Sequence, residues 1–208
     1  NGDNVTGRKG GGVTRLPGEG IASHAGTAPE KGASAVREAA RKVVAIEDLT
    51  DFSRVTFNCG LIRGGSSVNT IPAHCEVDIC VRFHSNQERD EALDKARAIC
   101  ERVETPGTHC TLGPLMGFPA MEKTPKTDAL VSLYQDASEA LGMGRPGTAS
   151  TAGCSDSAFT TSMGIPTLCA VGVLGEGQHS PNEHALEESL LTQAKRLTAA
   201  ILSMPDDF

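Results

Sequence analysis

"HCEVDICVRF", residues 74–83, decides the fold. Cys75, Val77, Ile79 and Val81 fall on one face and Glu76, Asp78 and Arg82 on the other, with Cys80 the apolar exception. Alternation of that kind is a strand with one packed face and one wet face. "RVTFNCGLIR" (54–63) reads as a second strand, joined to the first by the glycine-rich "GGSSVNTIPA". Upstream, residues 33–46 set Val36, Ala39, Ala40, Val43 and Val44 at helical spacing, and downstream, residues 86–104 put Leu93, Ala96, Ile99, Cys100 and Val103 on one stripe. A partly alternating run over 13–23 opens the unit and a short strand over 110–112 closes it; Pro17 in "LPGEG" predicts a bulge, an edge or an irregular stretch there. Residues 12–112 therefore read β-α-β-β-α-β, an α+β domain with both helices on one face of an antiparallel sheet.

Beyond that domain the pattern changes. Residues 127–141 are helical, "GCSDSAFTTSMG" is a loop entering a short helix, "IPTLCAVGV" is a nearly continuous apolar strand, and 183–204 form a last helix. A strand apolar on both faces belongs in a parallel sheet covered by helices. Residues 113–208 are thus expected to be the C-terminal portion of a larger α/β domain. The opening "NGDNVTGRKGGG" is rich in Gly and Asn, so residues 1–11 are expected to be a linker from a missing upstream segment.

Composition narrows the class. A net charge of −7 with no Lys/Arg run argues against a nucleic-acid partner. No run approaches the ~20 apolar residues that cross a bilayer, and no signal-peptide-like start is present. The seven cysteines are scattered without a C-x-x-C pair and are expected to be reduced thiols, which suits a cytoplasmic protein.

Two histidines stand out. In "IASHAGTAPEKGASAV", His24 leaves the first strand into a shaped turn of small residues, where function concentrates on rigid scaffolds. In "GEGQHSPNEH", His179 follows a glycine-rich turn after the apolar run, at the end of the strand where α/β sheets bind ligands. Asn69 and Arg82 offer an amide and a guanidinium fork, a carboxylate clamp unless Arg82 is spent on Asp78 or Glu76. "TAGCSDSAF" contains Ser155 and Asp156 but no G-x-S-x-G elbow, which argues against a serine nucleophile.

Together "SHAGTAPEKGASAV", "GGSSVNTIPAHCEVDICVRF", "GCSDSAF" and "GIPTLCAVGVLGEGQHSPNEHA" resemble the zinc aminoacylase, acetylornithine deacetylase and glutamate carboxypeptidase family, nearest the glutamate carboxypeptidase branch, in order and spacing from residue 10 to 201. The resemblance implies a catalytic α/β domain with paired zinc ions and an inserted lid, residues 12–112, that forms a homodimer. It implies that His179 is a metal ligand and that His24 reaches the partner subunit's site to stabilise the oxyanion. It further implies that Asn69 and Arg82 hold the substrate carboxylate and that Gly153 and Cys154 line the substrate pocket. It implies a small peptide or an N-acyl amino acid as the substrate. The family's other metal ligands and its general-base glutamate match nothing here, so this chain alone is expected to be inactive and poor in metal. The alternatives are a non-catalytic dimerisation or binding module and an N-acyl-amino-acid deacetylase of the same family.

Overall fold

The computed structural model describes residues 2–206, so residue 1 of the expected linker and residues 207 and 208 of the expected C-terminal segment lie outside it. The chain divides into a sheet unit, Lys9–Ala120, and a helical unit that joins the segment up to Arg8 with the segment from Met121 onward. These limits lie outside the expected 12 and 112. The expected linker also differs: Asn4–Arg8 form a strand, β1, which belongs to the helical unit.

In the sheet unit the elements are β2 (Gly10–Glu19), β3 (Ser23–His24), α1 (Ala35–Glu47), β4 (Val55–Gly64), β5 (Thr70–Ile71), β6 (His74–Phe83), α2 (Asn86–Glu101), β7 (His109–Cys110) and β8 (Met116–Phe118). The main sheet has the order β4-β6-β2-β7, with β8 also on β2, and its pairings are antiparallel. The alternation of β6 is realised: Cys75, Val77, Ile79, Val81 and Phe83 are all buried. They share one core cluster with Ala35, Ala39 and Ile46 of α1 and Leu93, Ala96 and Cys100 of α2, so both helices cover the same face. Each helix starts where a serine hydroxyl accepts a free backbone N–H, Ser34 from Arg37 at 3.1 Å and Ser85 from Glu88 at 3.2 Å.

Several expectations are corrected here. Pro17 makes no bulge: β2 pairs with β6 without a register shift from Gly10 to Glu19, and the shift lies in β4 between Cys59 and Leu61. On its other flank β2 pairs with β8 at residues 11–13 and β7 at 18–19, so Pro17 falls in a gap of that ladder, where a missing N–H is tolerated. The buried stripe of α1 is Ala35, Glu38, Ala39, Lys42 and Ile46, whereas Val36 and Val44 are exposed. The glycine tract is strand because other chain segments approach it too closely for a side chain. A Cβ on Gly10 would lie 2.0 Å from the Phe83 ring, and one on Gly12 would lie 2.4 Å from the Met116 carbonyl oxygen.

The helical unit adds α3 (Pro125–Ala140), β9 (Thr148–Thr151), α4 (Ser157–Ser162), β10 (Gly175–Glu176), β11 (His184–Ala185) and α5 (Glu187–Leu202) to β1. Its one parallel ladder among the described residues is β1 with β9. Both are short and polar, with Asn4 and Thr6 buried, and so carry no apolar period that a sequence reading would detect. The expected strand over 165–173 reduces to an antiparallel bridge of Cys169 with Val5, ended by a left-handed Ala170 at φ 58°. α3 opens on a capping box of Thr124 and Thr127 with Pro125 in its first turn, and packs through Tyr134 and Ala137 on Ala200 of α5.

Candidate functional site

His24 stands on a two-residue ribbon. β3 pairs antiparallel with β5, placing His24 opposite Thr70 and Ser23 opposite Ile71. The Ala25 N–H donates to the Asn69 carbonyl at 2.9 Å, so His24 and Asn69 are brought together on one exposed tip of the sheet unit. The loop after His24 turns back on the ring: Gly26 and Thr27 donate their backbone N–H groups to Nδ1 at 3.1 and 3.2 Å. A ring nitrogen that accepts two N–H bonds carries no proton, so in the neutral ring the proton sits on Nε2 and makes that atom a donor. The Asn69 side-chain oxygen accepts from the Ser67 hydroxyl at 2.5 Å.

Arg82 is not part of that cluster. It pairs with Gly11 and Thr56 near the far end of β6, which runs from His74 to Phe83. At a rise of ~3.3 Å per residue, Arg82 is about 26 Å from His74 along the strand. Within one chain Asn69 and Arg82 therefore do not form a single clamp. The wet-face acids meet two other arginines. Asp78 bonds Arg15 at 2.8 Å and Arg63 at 2.7 Å, and Glu76 lies 3.3 Å from Arg15. Hydrogen bonds from Arg63 and Arg15 hold the Asp78 carboxyl below the usual carboxylate range. Arg82 lies across Gly11 instead: a Cβ there would meet its Nη1 at 2.1 Å and its Cδ at 2.6 Å. The glycine that admits this side chain was the signal missed in the tract read as a linker.

In the helical unit, Gly153 and Cys154 lie in the loop between β9 and α4. Arg8 anchors that loop, donating from Nη1 to the Gly153 carbonyl at 2.8 Å and from Nη2 to the Cys169 sulfur at 3.2 Å. Burial pushes the Cys169 thiol up, but hydrogen bonds from Ser157, Ser155 and Arg8 bring it to a net value below the ordinary one. Two thiols of the sheet unit go the other way, with burial driving Cys59 up to about 11 and Cys100 up to about 12. All seven cysteines are free, as the scattered spacing suggested.

His179 sits in the loop of the β10–β11 hairpin, exposed, with a left-handed backbone at φ 64°. That conformation is uncommon outside glycine and is often found at functional positions. The hairpin is built tightly around it: a Cβ on Gly175 would lie 2.2 Å from the His184 carbonyl oxygen, and one on Gly177 2.8 Å from that of Asn182. Among the described residues there is no group of three or more His, Cys, Asp or Glu that could hold a metal ion. A catalytic zinc ordinarily takes three protein ligands, so the described residues do not by themselves fit one.

Known proteins share the fold of this chain. A family profile described as a peptidase dimerisation domain matches residues 6–108. Carboxypeptidase G2 of Pseudomonas sp. (strain RS-16) is 27% identical over 188 residues, which is 88% of this chain and 44% of that protein. Among solved structures, the aminopeptidase PepT of Bacillus cereus superposes with a TM-score of 0.74 at 28% identity, over 97% of this chain and 54% of that one. A tripeptidase of Staphylococcus aureus shares the fold, with a TM-score of 0.71 at 22% identity, over 97% of this chain and 54% of its own. The chain thus spans about half the length of the relatives it matches. No helix among the described residues is long and apolar enough to cross a membrane.

Proposed function

Residues 6–108 belong to the peptidase dimerisation domain family, and from that premise we infer that this chain is a dimerising lid joined to the C-terminal part of a hydrolase's catalytic domain. The complete hydrolase would cleave a peptide or N-acyl amide bond next to a free carboxylate. Similarity to a carboxypeptidase and an aminopeptidase supports the reaction type. The observation that carries the reading is the locked His24 ring, whose Nδ1 receives the Gly26 and Thr27 amides. A fixed, exposed Nε2 donor at a domain tip is suited to an amide carbonyl oxygen as it takes on negative charge, where a preorganised hydrogen bond acts most strongly.

Asn69 beside His24 would orient the substrate carboxylate from the same tip, and Arg82 would supply a guanidinium from the far end of β6. Because about 26 Å of strand separates those ends, one small substrate can touch both only if they come from two subunits. That favours a homodimer in which His24 acts in trans. The outer strand β4 supports the lid as the dimer surface: its free edge carries exposed Leu61 and Ile62, and Val44 of α1 is exposed as well. His179 would contribute one imidazole to a zinc site completed by residues outside this chain, and Gly153 and Cys154 would line the pocket. Zinc would supply the activated water, and this chain alone would turn over nothing.

The test is hydrolysis of dipeptides and N-acyl amino acids by the complete hydrolase. His24→Ala lowers kcat by about 10²- to 10³-fold, the loss typical of a removed oxyanion donor, with little change in stability. His179→Ala and exhaustive chelation each abolish turnover. Full activity after chelation, or an unchanged kcat in His24→Ala, overturns the reading.

A further inference from the structure

The lid buries two opposite charges on one helix. Glu38 and Lys42 occupy successive turns of α1 with side chains 2% and 0% exposed, and Lys42 Nζ lies 3.1 Å from Glu38 Oε1. Buried charges are costly unless each is both paired and hydrogen-bonded. Here the remaining bonds go to the segment after α2. The Glu38 carboxylate accepts the backbone N–H of Glu104 at 3.0 Å and of Thr105 at 2.7 Å, and Lys42 donates to the Arg102 carbonyl. The pair therefore clamps residues 102–105 onto α1.

The clamped segment leads to the base of the His24 loop. Thr108 folds back on Thr105, its N–H and hydroxyl reaching that carbonyl at 3.1 and 2.6 Å. Between them Gly107, left-handed at φ +84°, is pressed against Ala33 and Ile21: a Cβ there would lie 3.0 Å from Ala33 Cβ and 3.3 Å from Ile21 Cδ1. Ile21 and Ala33 exchange two backbone hydrogen bonds, 2.8 and 2.9 Å, which close the loop of residues 22–32 that holds His24. A chain of direct contacts thus runs from the buried pair to the neck of that loop.

We propose that Glu38 and Lys42 are positioning residues for His24, holding the neck of its loop through residues 102–108. The assignment rests on the reading of His24 as a substrate-contacting group, so its test is chosen to be independent of turnover. The Gly26 and Thr27 amides, donors to His24 Nδ1, report the loop by hydrogen exchange. The variants are Glu38→Gln and the double change Glu38→Met with Lys42→Met, whose apolar pair keeps the helix packed should the single change fail to fold. Leu93→Ala, in the core of α2, controls for general destabilisation.

Both clamp variants should speed exchange at Gly26, Thr27, Glu104 and Thr105 by about tenfold or more while the amides of β2 and β6 keep their rates, the pattern of a local opening. Leu93→Ala should speed β2 and β6 without singling out the loop. The proposal is overturned if Gly26 and Thr27 hold their rates while Glu104 and Thr105 loosen, or if the clamp variants loosen the whole sheet as Leu93→Ala does. A loosened loop in a hydrolase indifferent to His24→Ala would leave the coupling intact and remove only the role assigned to His24.

Discussion

Phe83 and Ile79 are enclosed in a cluster that draws on β2, β4, β6, α1 and α2, whereas α5 leaves Leu190, Leu191, Ile201 and Leu202 exposed. The sheet unit closes its own core, with layers of sheet and helix each hiding the other's apolar face. Among the described residues the helical unit gathers Tyr134, Ala137 and Ala200 as its buried cluster, and α5 keeps an apolar stripe exposed. The two histidines are also held differently. His24 is held by backbone N–H donors of its own unit, while His179 lies on a tight hairpin, and among the described residues no group of three or more His, Cys, Asp or Glu could hold a metal ion.

That contrast is broken most readily at the core. Phe83→Ala should cost the sheet unit about 3–5 kcal/mol, read as faster exchange of β2 and β6 amides, with the amides of α3 and α5 unaffected. A loss shared by both units would show that they fold as one. Next in size, Gly12→Ala sets a Cβ 2.4 Å from the Met116 carbonyl oxygen, where only backbone can yield. It should free β8 at about 1–3 kcal/mol, the range for overpacking. Gly11→Ala meets the movable end of Arg82 and should cost less while displacing that side chain, visible as a weaker KM effect of Arg82→Ala in the variant background.

Acid sharpens the comparison. Burial pushes Glu38 up, yet bonds from Glu104, Lys42 and Thr105 bring it to a net value below the ordinary one, and Arg63 and Arg15 hold Asp78 low. A carboxyl with a depressed folded-state pKa contributes stability that is fully present above its unfolded value and is lost as pH falls through the folded one. The sheet unit should therefore begin to weaken below about pH 4, first at the amides of Glu104 and Thr105. Glu38→Gln should remove that part of the acid dependence. The smallest effect belongs to the helical unit's surface. Leu191→Ala, at a residue 70% exposed, should stay within about 0.5 kcal/mol, and a larger loss would mean that α5 is covered in solution.

What the sequence disclosed follows the same division. The period of two in residues 74–83 and the stripe of α2 made the sheet unit legible, because β6 and α2 each turn an apolar face toward a shared core. The loop chemistry around His24 was equally legible, since small residues flank a lone imidazole. Glu38 and Lys42 were invisible, because a period of burial met by charges looks like a solvated face until the backbone partners at 102–105 are seen. The glycines at 10–12 misled for a related reason: a tract that suits a linker also suits a strand crowded by Phe83, Arg82 and Met116. β1 buries the polar Asn4 and Thr6, β9 is short and polar, and the run 165–173 is broken by the left-handed Ala170, none of which leaves a hydrophobic period.

The most direct test of the account is complementation in the complete hydrolase. Chains carrying His24→Ala are mixed with chains carrying His179→Ala, and turnover is measured on verified mixed dimers. Each variant alone is expected to be nearly inactive, and the mixed dimer to regain activity, because one of its two sites then holds an intact lid histidine opposite an intact hairpin histidine. A mixed dimer no more active than its parents would contradict the assignment of His24 to the partner's site.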